Sequence, residues 1–411
     1  MISMIILTLL LWLKVVRLML KIKHIFYVIF GFIIFMPVFI TFQANGAISF
    51  DRLASERGIG MTLPISFFLA SLIVLVNWTS IVFSKPLAIF LFLVFVTTAL
   101  RVLVMNEFVF KELYVIIFQN TSFLIYIFAF ISFFKKRKID VDIAERLFII
   151  YPFIIVSVVF ALTRFTYSGD LHEIYFGFNN LIIYNFEQYY AFFYLLLLGV
   201  AARFKFIYFV PFLLFSFYVS ILTSNKTALL LNIFFIIIYL FDLIIKRTSS
   251  TDTVIKMHKL FNFSIITFYF FAPLLIIFAT NILFTLSEEP GGITNRAIGW
   301  IEYFSIFDGF NIFYPFLLDH SNLITWHNQL IVLFSSYGIV GVFLYYLIFL
   351  NKVNFSYNYR MVKISIFLVV FTAGIVVLPT SHPFILIIIA YLTAFYYVAS
   401  NVSNIKENYS Y

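Results

Sequence analysis

The sequence contains no cysteine and few charged residues. Without cysteine the chain can form no disulfide and offers no thiolate as a metal ligand or nucleophile. Only 11% of its residues are charged and 64% are hydrophobic, whereas a soluble domain averages roughly 25% charged and 45–50% apolar residues. A surface with so few charges could not be wetted by water. The composition therefore excludes an ordinary soluble domain and predicts a protein embedded in a membrane.

Long, continuous apolar runs determine the predicted fold class. Several of them are long enough to cross a hydrocarbon core of about 30 Å. They do not alternate with the period of two that barrel strands would show. We therefore predict an all-α polytopic integral membrane protein with about twelve transmembrane helices, at residues 25–44, 61–83, 86–104, 112–134, 144–163, 183–202, 206–222, 227–245, 260–285, 328–350, 364–379 and 384–400.

Basic residues indicate which side of the membrane each loop occupies. Clusters of them separate the apolar runs, namely Lys21/Lys23, Lys85, Lys135 to Lys138, Arg203/Lys205, Lys246/Arg247 and Lys352/Arg360/Lys363. Placing all of these clusters in the cytoplasm is consistent with the positive-inside rule. The net charge of +9 then divides into +14 inside and −5 outside. The basic balance thus reflects membrane topology, and no nucleic-acid binding is predicted.

The apolar N-terminal segment is interpreted as part of the membrane domain. Lys14 and Arg17 follow its apolar run instead of preceding it, and no small-residue cleavage site is visible. Residues 1–23 are therefore expected to form a retained interfacial helix or an extra first membrane helix. Residues 1–411 are expected to form a single integral membrane domain.

The longest polar stretch is the external loop 286–327, which precedes the third-last predicted helix. Gly291 and Gly292 interrupt the chain there. An apolar helical face follows, formed by Ala297, Ile298, Trp300, Ile301 and Phe304. We predict a short amphipathic helix on the outer leaflet, with Arg296 in its first turn. Because long loops on a compact bundle are more often functional than idle, the site is expected at the outer face.

The motifs of soluble enzymes are absent from the sequence. It contains no Walker loop, no HExxH, no GxSxG and no dinucleotide fingerprint. The six histidines are scattered, and none forms a pair with a carboxylate at helical spacing within one span. Neither a metal site nor a cofactor is predicted.

Three polar positions border apolar runs and could carry chemistry. Lys226 lies in a polar turn between two predicted helices, where an ionisable group is often functional but can also be a snorkelling lysine. Arg296 near free backbone N–H groups suits an anion, or it simply faces water. His327 at the start of a helix can serve as a neutral base, or it can be structural. Asn328 could orient that histidine or cap the helix.

Four short motifs follow one another over roughly residues 200–350. They are Ser224-Asn225-Lys226-Thr227-Ala228-Leu229-Leu230, Asn295-Arg296 to Trp300, His327-Asn328-Gln329-Leu330 and Gly338-Ile339-Val340-Gly341. The two glycines of the last motif would let another helix approach closely. In this order the motifs resemble the O-antigen ligase/polymerase superfamily. The N-terminal half of the chain matches that family only in hydropathy.

The resemblance implies glycosyl transfer at the periplasmic face of a bacterial inner membrane. Its donor would be an undecaprenyl-pyrophosphate-linked oligosaccharide, with the lipid pyrophosphate as leaving group and with no nucleotide or metal required. Carried over by position, His327 would take the proton from the acceptor hydroxyl, and Arg296 and Lys226 would neutralise the pyrophosphate. At residue 226 the family commonly has arginine, and a lysine offers a point charge instead of a bidentate fork. Membrane lipids and a chain-length regulator are the further partners expected.

Other external residues are candidates for supporting roles. Further cations that could contact pyrophosphate are Arg52, Arg57 and Arg101. Arg101 lies within an otherwise apolar span, and its alternative role is an ion pair with Glu107 or Glu112. The candidates for sugar binding or for a second base, all ranked below His327, are Asn328, His320, Asp319 and His382.

Three functions stay open from the sequence. A polymerase joins a growing chain to another lipid-linked repeat unit, whereas a ligase transfers the finished chain to lipid A-core. Lys226 and the strong Phe and Tyr bias favour the polymerase. A flippase or transporter for lipid-linked oligosaccharide would show paired halves and charges lining the helix interior, and the sequence shows no such duplication.

Overall fold

The computed structural model describes residues 34, 39–43, 48–49, 60–82, 84–105, 120–136, 141, 143–145, 175–178, 181–184, 187–204, 206–222, 225–248, 250–284, 300–301, 328–375 and 383–408. Helices predominate in these ranges. They are α1 (Ile65–Val76), α2 (Trp78–Val82), α3 (Lys85–Met105), α4 (Asn120–Lys136), α5 (Glu187–Ala201), α6 (Phe206–Leu222), α7 (Lys226–Thr248), α8 (Thr251–Phe284), α9 (Gln329–Lys352), α10 (Arg360–Phe367) and α11 (Pro383–Asn408).

The helical character of the predicted fold is confirmed. Among the described residues, four segments are long and apolar enough to cross a membrane, namely Lys85–Val104, Lys226–Thr248, Gln329–Lys352 and Tyr357–Ile375. Shorter apolar helices accompany them, at Ser66–Val76, Ala191–Ala201, Phe209–Ile221 and Ile385–Asn401. Two predicted spans, 25–44 and 144–163, lie mostly outside the described residues. The protein is therefore a helical membrane protein, while twelve spans stay a prediction.

Short strands also occur among the described residues, and three of them overlap predicted helices. They are β1 (Phe39–Gln43), β2 (Ile48–Ser49), β3 (Gly60–Pro64), β4 (Tyr175–Phe178) and β5 (Leu181–Tyr184). Strand β1 pairs antiparallel with both β2 and β3, and β4 pairs antiparallel with β5. The predicted spans 25–44, 61–83 and 183–202 thus include strand residues. Hydropathy alone cannot separate a strand from a helix in a short apolar run, and β-branched and aromatic residues favour the strand.

The helices form a buried inner group and an outer group. Residues 191–201 of α5 and 385–396 of α11 are all buried, as is most of the segment that begins with α10. Helices α1, α3, α6, α7, α8 and α9 instead expose large apolar side chains, for example Leu75 at 69%, Phe95 at 70% and Phe263 at 66%. Such exposure would be unfavourable in water, so these faces are the ones that suit contact with lipid.

Two glycines allow close helix packing. A Cβ at Gly199 of α5 would overlap Ser365 Oγ of α10, so α5 and α10 approach each other closely there. A Cβ at Gly341 of α9 would lie 3.2 Å from Leu93 Cδ2 of α3. The predicted close approach at Gly341 is therefore confirmed, with α3 as the neighbouring helix.

Gly338 has a different role, because it interrupts α9. Its φ of 68° and ψ of −178° lie outside the helical region, in a part of backbone space that is essentially restricted to glycine. Helix α9 is therefore two helical pieces joined at Gly338. The residues that follow, Ile339 and Val340, are 61% and 58% exposed on the outer surface.

Helix α10 continues through a π-helical turn, Leu368–Thr372, and a 3₁₀ turn, Ala373–Ile375. Phe371 in the π turn packs edge-on against Tyr269 of α8, with ring centroids 5.3 Å apart. The hydroxyl of Tyr269 forms a hydrogen bond with that of Tyr346 in α9. This aromatic group joins α8, α9 and the 360–375 segment in the middle of the bundle.

Candidate functional site

Side-chain contacts place three of the predicted cytoplasmic cations at one end of the bundle. Arg360 and Lys246 both bind Asp242. The guanidinium of Arg203 lies 4.2 Å from the ring centroid of Tyr359, the residue before Arg360. We call this the basic end of the bundle, defined by Arg203, Lys246 and Arg360. The three predicted clusters to which these residues belong therefore lie close together.

Asn328 marks the opposite end. Its side-chain nitrogen donates a hydrogen bond to the Ile375 carbonyl at 3.1 Å. Because Arg360 begins and Ile375 ends the same helical segment, Asn328 lies away from the basic end. Lys226 begins α7 sixteen residues before Asp242, a rise of about 24 Å. Lys226 and Asn328 therefore share one end of the bundle, which we call the Asn328 end.

Asn328 is fully buried and uses both functions of its amide. Its oxygen accepts a hydrogen bond from the Ile331 backbone N–H at 3.1 Å, which caps α9, while its nitrogen holds Ile375. The predicted capping role is therefore confirmed. These bonds fix the backbone directly after His327, although His327 itself lies outside the described residues.

The polar turn before α7 is held by its own side chains. Asn225 caps α7, because its oxygen accepts from the Ala228 N–H at 2.9 Å. Further along α7, the buried Asn232 exchanges hydrogen bonds with Ser216 at 2.9 Å and with Ser220 at 3.0 Å on α6. The sequence did not indicate this network, since Asn232 lies inside an apolar run.

Lys226 is the first residue of α7 and directly follows the capping residue Asn225. The residue is exposed, and within the described ranges it has no carboxylate partner. Its ammonium is therefore available to an anion at the Asn328 end. The same exposure also fits the snorkelling alternative, so the geometry leaves both interpretations of this lysine open.

Arg101 is buried, with 6% of its surface exposed. Its position along the bundle follows from two contacts of α4. Lys352, the last residue of α9, lies 4.9 Å from the ring centroid of Phe128 in α4. At the end of α4, Lys136 donates a hydrogen bond to the side-chain oxygen of Asn77 at 3.0 Å. Asn77 interrupts the helix shortly before α3 begins, so α3 starts near the basic end. Arg101 is sixteen residues into α3, about 24 Å further on, and therefore lies towards the Asn328 end.

Most of the other predicted site residues lie outside the described residues, and their positions stay predictions. They are Arg52, Arg57, Arg296, Asp319, His320, His327 and His382, together with Glu107 and Glu112, the predicted alternative partners of Arg101.

In the loop 286–327, residues 300 and 301 are helical, and Trp300 is fully buried. The side chain predicted to face the outer leaflet is therefore covered by protein.

A cluster at the basic end was missed by the sequence analysis. The carboxylate of Asp242 is buried and accepts from Arg360 Nε at 2.7 Å and Nη2 at 2.8 Å. His258 Nε2 lies 2.8 Å from its Oδ1, and Lys246 Nζ lies 3.2 Å from its Oδ2. The Arg360 guanidinium also stacks 4.0 Å from the Tyr357 ring centroid. With all its acceptor positions engaged, this carboxylate clamps α7, α8 and α10 together.

One signal in the sequence could have identified Asp242. It is the sole acidic residue in the predicted span 227–245, and a charge in an apolar span is costly unless it has a partner. His258 is sixteen residues away on the next helix, so a search for helical spacing within one span could not find the pair.

A second buried carboxylate lies beside the first cluster. Glu145 is 2% exposed and forms an ion pair with Arg203, whose guanidinium stacks on Tyr359. Nearby, the Ser356 backbone N–H donates to Ser400 Oγ of α11 at 2.7 Å. The segment between α9 and α10 is thus fastened to several helices.

The described part of the chain contains no group of three His, Cys, Asp or Glu side chains that could hold a metal ion. No protein-family model matches the chain, and neither a curated protein nor a solved structure shows significant similarity to it. The function must therefore be argued from the residues of this chain.

Proposed function

We propose that this protein is a polymerase that joins undecaprenyl-pyrophosphate-linked oligosaccharide repeat units into O antigen or a related surface polysaccharide. The reaction takes place at the periplasmic face of a bacterial inner membrane. The observation that carries the proposal is the anchoring of Asn328, which holds the backbone after His327 at the end of the bundle that also carries Lys226. The assignment to glycosyl transfer rests on the order of the four sequence motifs, which resembles that of the O-antigen ligase/polymerase superfamily.

His327 acts as the base in this reaction. It takes the proton from the acceptor hydroxyl while that oxygen attacks the anomeric carbon of the donor sugar. The bond from the anomeric carbon to the pyrophosphate oxygen breaks, and the lipid pyrophosphate leaves. A base must be positioned to within a hydrogen-bond length of its proton, and the residue that directly follows His327, Asn328, is fixed by two hydrogen bonds.

The cations at the same end stabilise the leaving group. Charge develops on the pyrophosphate as the bond breaks, and lysine or arginine side chains that contact it lower the barrier. Lys226 is exposed and, among the described residues, is not neutralised by a carboxylate. Arg296 and Arg101 complete the set in this proposal. No residue of the basic end takes part, since Asp242 and its partners lie about 24 Å from Lys226.

The proposal is tested by deleting the gene in the source strain and comparing surface polysaccharide with that of the complemented strain. A polymerase defect leaves lipid A-core that carries a single repeat unit and removes the long ladder. Core without any repeat unit contradicts the proposal. In that case, a lipid-linked chain that accumulates outside the membrane indicates a ligase, and one that accumulates inside indicates a flippase.

A further inference from the structure

A buried polar network joins α6 to α7, the two helices on either side of the turn that precedes Lys226. Asn232 of α7 and Ser216 and Ser220 of α6 are all buried. The Asn232 side-chain oxygen accepts a hydrogen bond from Ser216 Oγ at 2.9 Å, and its nitrogen donates to Ser220 Oγ at 3.0 Å. Ser220 Oγ in turn donates to the Ser216 carbonyl at 2.8 Å. Both functions of the Asn232 amide are therefore used between the same two helices.

The same serine also holds the turn itself. The Asn225 backbone N–H donates to the Ser220 carbonyl at 2.9 Å, while the Asn225 side chain caps α7 at the Ala228 N–H. Ser220 is therefore held by Asn232 through its hydroxyl and by Asn225 through its carbonyl. Lys226 directly follows Asn225, and Asn232 lies six residues, about 9 Å, further along α7. The network thus fixes where α7 begins relative to α6.

Lys226 occupies an unfavourable place for a cation. It is the first residue of α7, and the first turn of that helix contains no acidic residue. The N-terminal end of a helix carries a partial positive charge, so a lysine there is repelled unless an anion lies nearby. The proposed pyrophosphate supplies such an anion. Since a lysine is a point charge on a flexible stem, its contact with the pyrophosphate depends on where the backbone places it.

We propose that Asn232 is a positioning residue for the pyrophosphate site, because its hydrogen bonds to α6 hold the turn so that Lys226 meets the lipid pyrophosphate of the donor. This inference rests on the proposed function, in which Lys226 contacts that pyrophosphate. Asn232 itself is buried and therefore does not touch the substrate. Replacing its amide by an apolar side chain changes no charge. An effect on pyrophosphate binding must then pass through the geometry of the turn.

The first test measures binding of undecaprenyl pyrophosphate, used without a sugar, to the purified full chain in nanodiscs. Lys226→Met should weaken binding about tenfold or more, the effect of losing one hydrogen bond between charged groups. Asn232→Leu should weaken it about fivefold, because a misplaced ammonium keeps part of its attraction. Ser220→Ala is a milder variant that keeps the asparagine, and it should show a smaller loss in the same direction.

The matched control for this test is Asn262→Leu in α8. It is the same substitution in a helix that also carries His258 of the basic end. Among the described residues, the Asn262 side-chain oxygen has no hydrogen-bond partner. The control should therefore bind undecaprenyl pyrophosphate within about twofold of the wild type. A loss as large as that of Asn232→Leu contradicts a specific role for the network.

A double-substitution cycle shows whether Asn232 acts through Lys226. Added to Lys226→Met, Asn232→Leu should weaken binding by no more than about twofold further, since the side chain that it positions is already gone. An equal loss in both backgrounds overturns the proposal. If Lys226→Met binds as tightly as the wild type, the pyrophosphate role of Lys226 is wrong and the proposal fails with it. The polymerase assignment is tested separately, by the polysaccharide profile of the deletion strain.

The second test observes the turn directly, without any donor. The chain has no native cysteine, so Lys226→Cys carries a single nitroxide spin label, whose mobility is measured by electron paramagnetic resonance. Asn232→Leu should increase the mobility of this label. A label on Ser250→Cys, which is exposed at the basic end, should not change. Unchanged mobility at position 226 overturns the positioning role, whatever the binding data show.

Discussion

At the scale of single residues, the buried ion pair of Asp242 and Arg360 is the contact whose loss should matter most for stability. Both oxygens of the carboxylate receive N–H donors of the guanidinium. Removing Arg360 would leave the buried carboxylate with only Lys246 and His258, whereas exposed pairs contribute little to stability. The stability of the basic end therefore depends on this pair more than on its surface cations.

Arg360→Ala should lower the free energy of unfolding by roughly 3–5 kcal/mol, because Asp242 stays buried without its bidentate partner. Thermal unfolding of the purified chain in detergent measures the effect. Arg247→Ala is the control, since Arg247 is exposed and should change stability by about 0.5 kcal/mol at most. A loss of the same size in both variants would show that the buried pair has no special role.

Asn328 is the residue whose two hydrogen bonds can be separated by substitution. Asn328→Ala should lose about 1 kcal/mol from the helix cap and about 1–3 kcal/mol from the unpaired Ile375 carbonyl. Asn328→Ser keeps a capping oxygen, but its side chain is too short to reach Ile375. It should therefore be more stable than Asn328→Ala by the contribution of the cap alone. Thermal unfolding of the three proteins measures both contributions. Equal stability of the Ala and Ser variants would contradict the capping role.

At the scale of helices, the interruption of α9 depends on Gly338. Gly338→Ala should lower the free energy of unfolding by about 1–3 kcal/mol, because an L-residue is strained at these dihedral angles. Val340→Ala, two residues further on the exposed surface of the same helix, is the matched control. Thermal unfolding in detergent measures both variants. If Gly338→Ala is as stable as the wild type, α9 is continuous at this position.

The sequence predicted helices well and their interruptions poorly. Apolar runs such as 206–222 coincide with α6, because a continuous run long enough to span a membrane favours helix. The break at Gly338 was not predicted, since glycine is also common in uninterrupted membrane helices as a packing residue. Strand β1 was predicted as helix because its five residues are too few to show a period.

The same contrast holds for the candidate site. The cap at Asn328 could be predicted because it depends on residues three positions apart in the chain. The pair of Asp242 and Arg360 could not, since 118 positions separate the two residues and only the packing of α7 against α10 brings them together. Local signals therefore identify helix ends, and contacts between helices require the fold.

At the scale of the whole molecule, the two ends of the bundle should lie on opposite sides of the membrane. The absence of native cysteine lets single cysteines report this directly. Lys226→Cys, at the Asn328 end, should react with a membrane-impermeant maleimide in intact spheroplasts. Ser250→Cys, which is exposed and follows α7 at the basic end, should react only after permeabilisation. Labelling of both cysteines from the same side would contradict the predicted topology.

We propose that His327, which directly precedes the anchored Asn328 in the sequence, is the base that drives repeat-unit polymerisation. The most direct measurement is the polysaccharide profile of the deletion strain complemented with His327→Ala, beside strains carrying the wild type and His320→Ala. Our account predicts a normal amount of the His327→Ala protein in the membrane, single repeat units on lipid A-core and no long ladder. His320→Ala should keep the ladder. A long ladder in the His327→Ala strain would contradict the account.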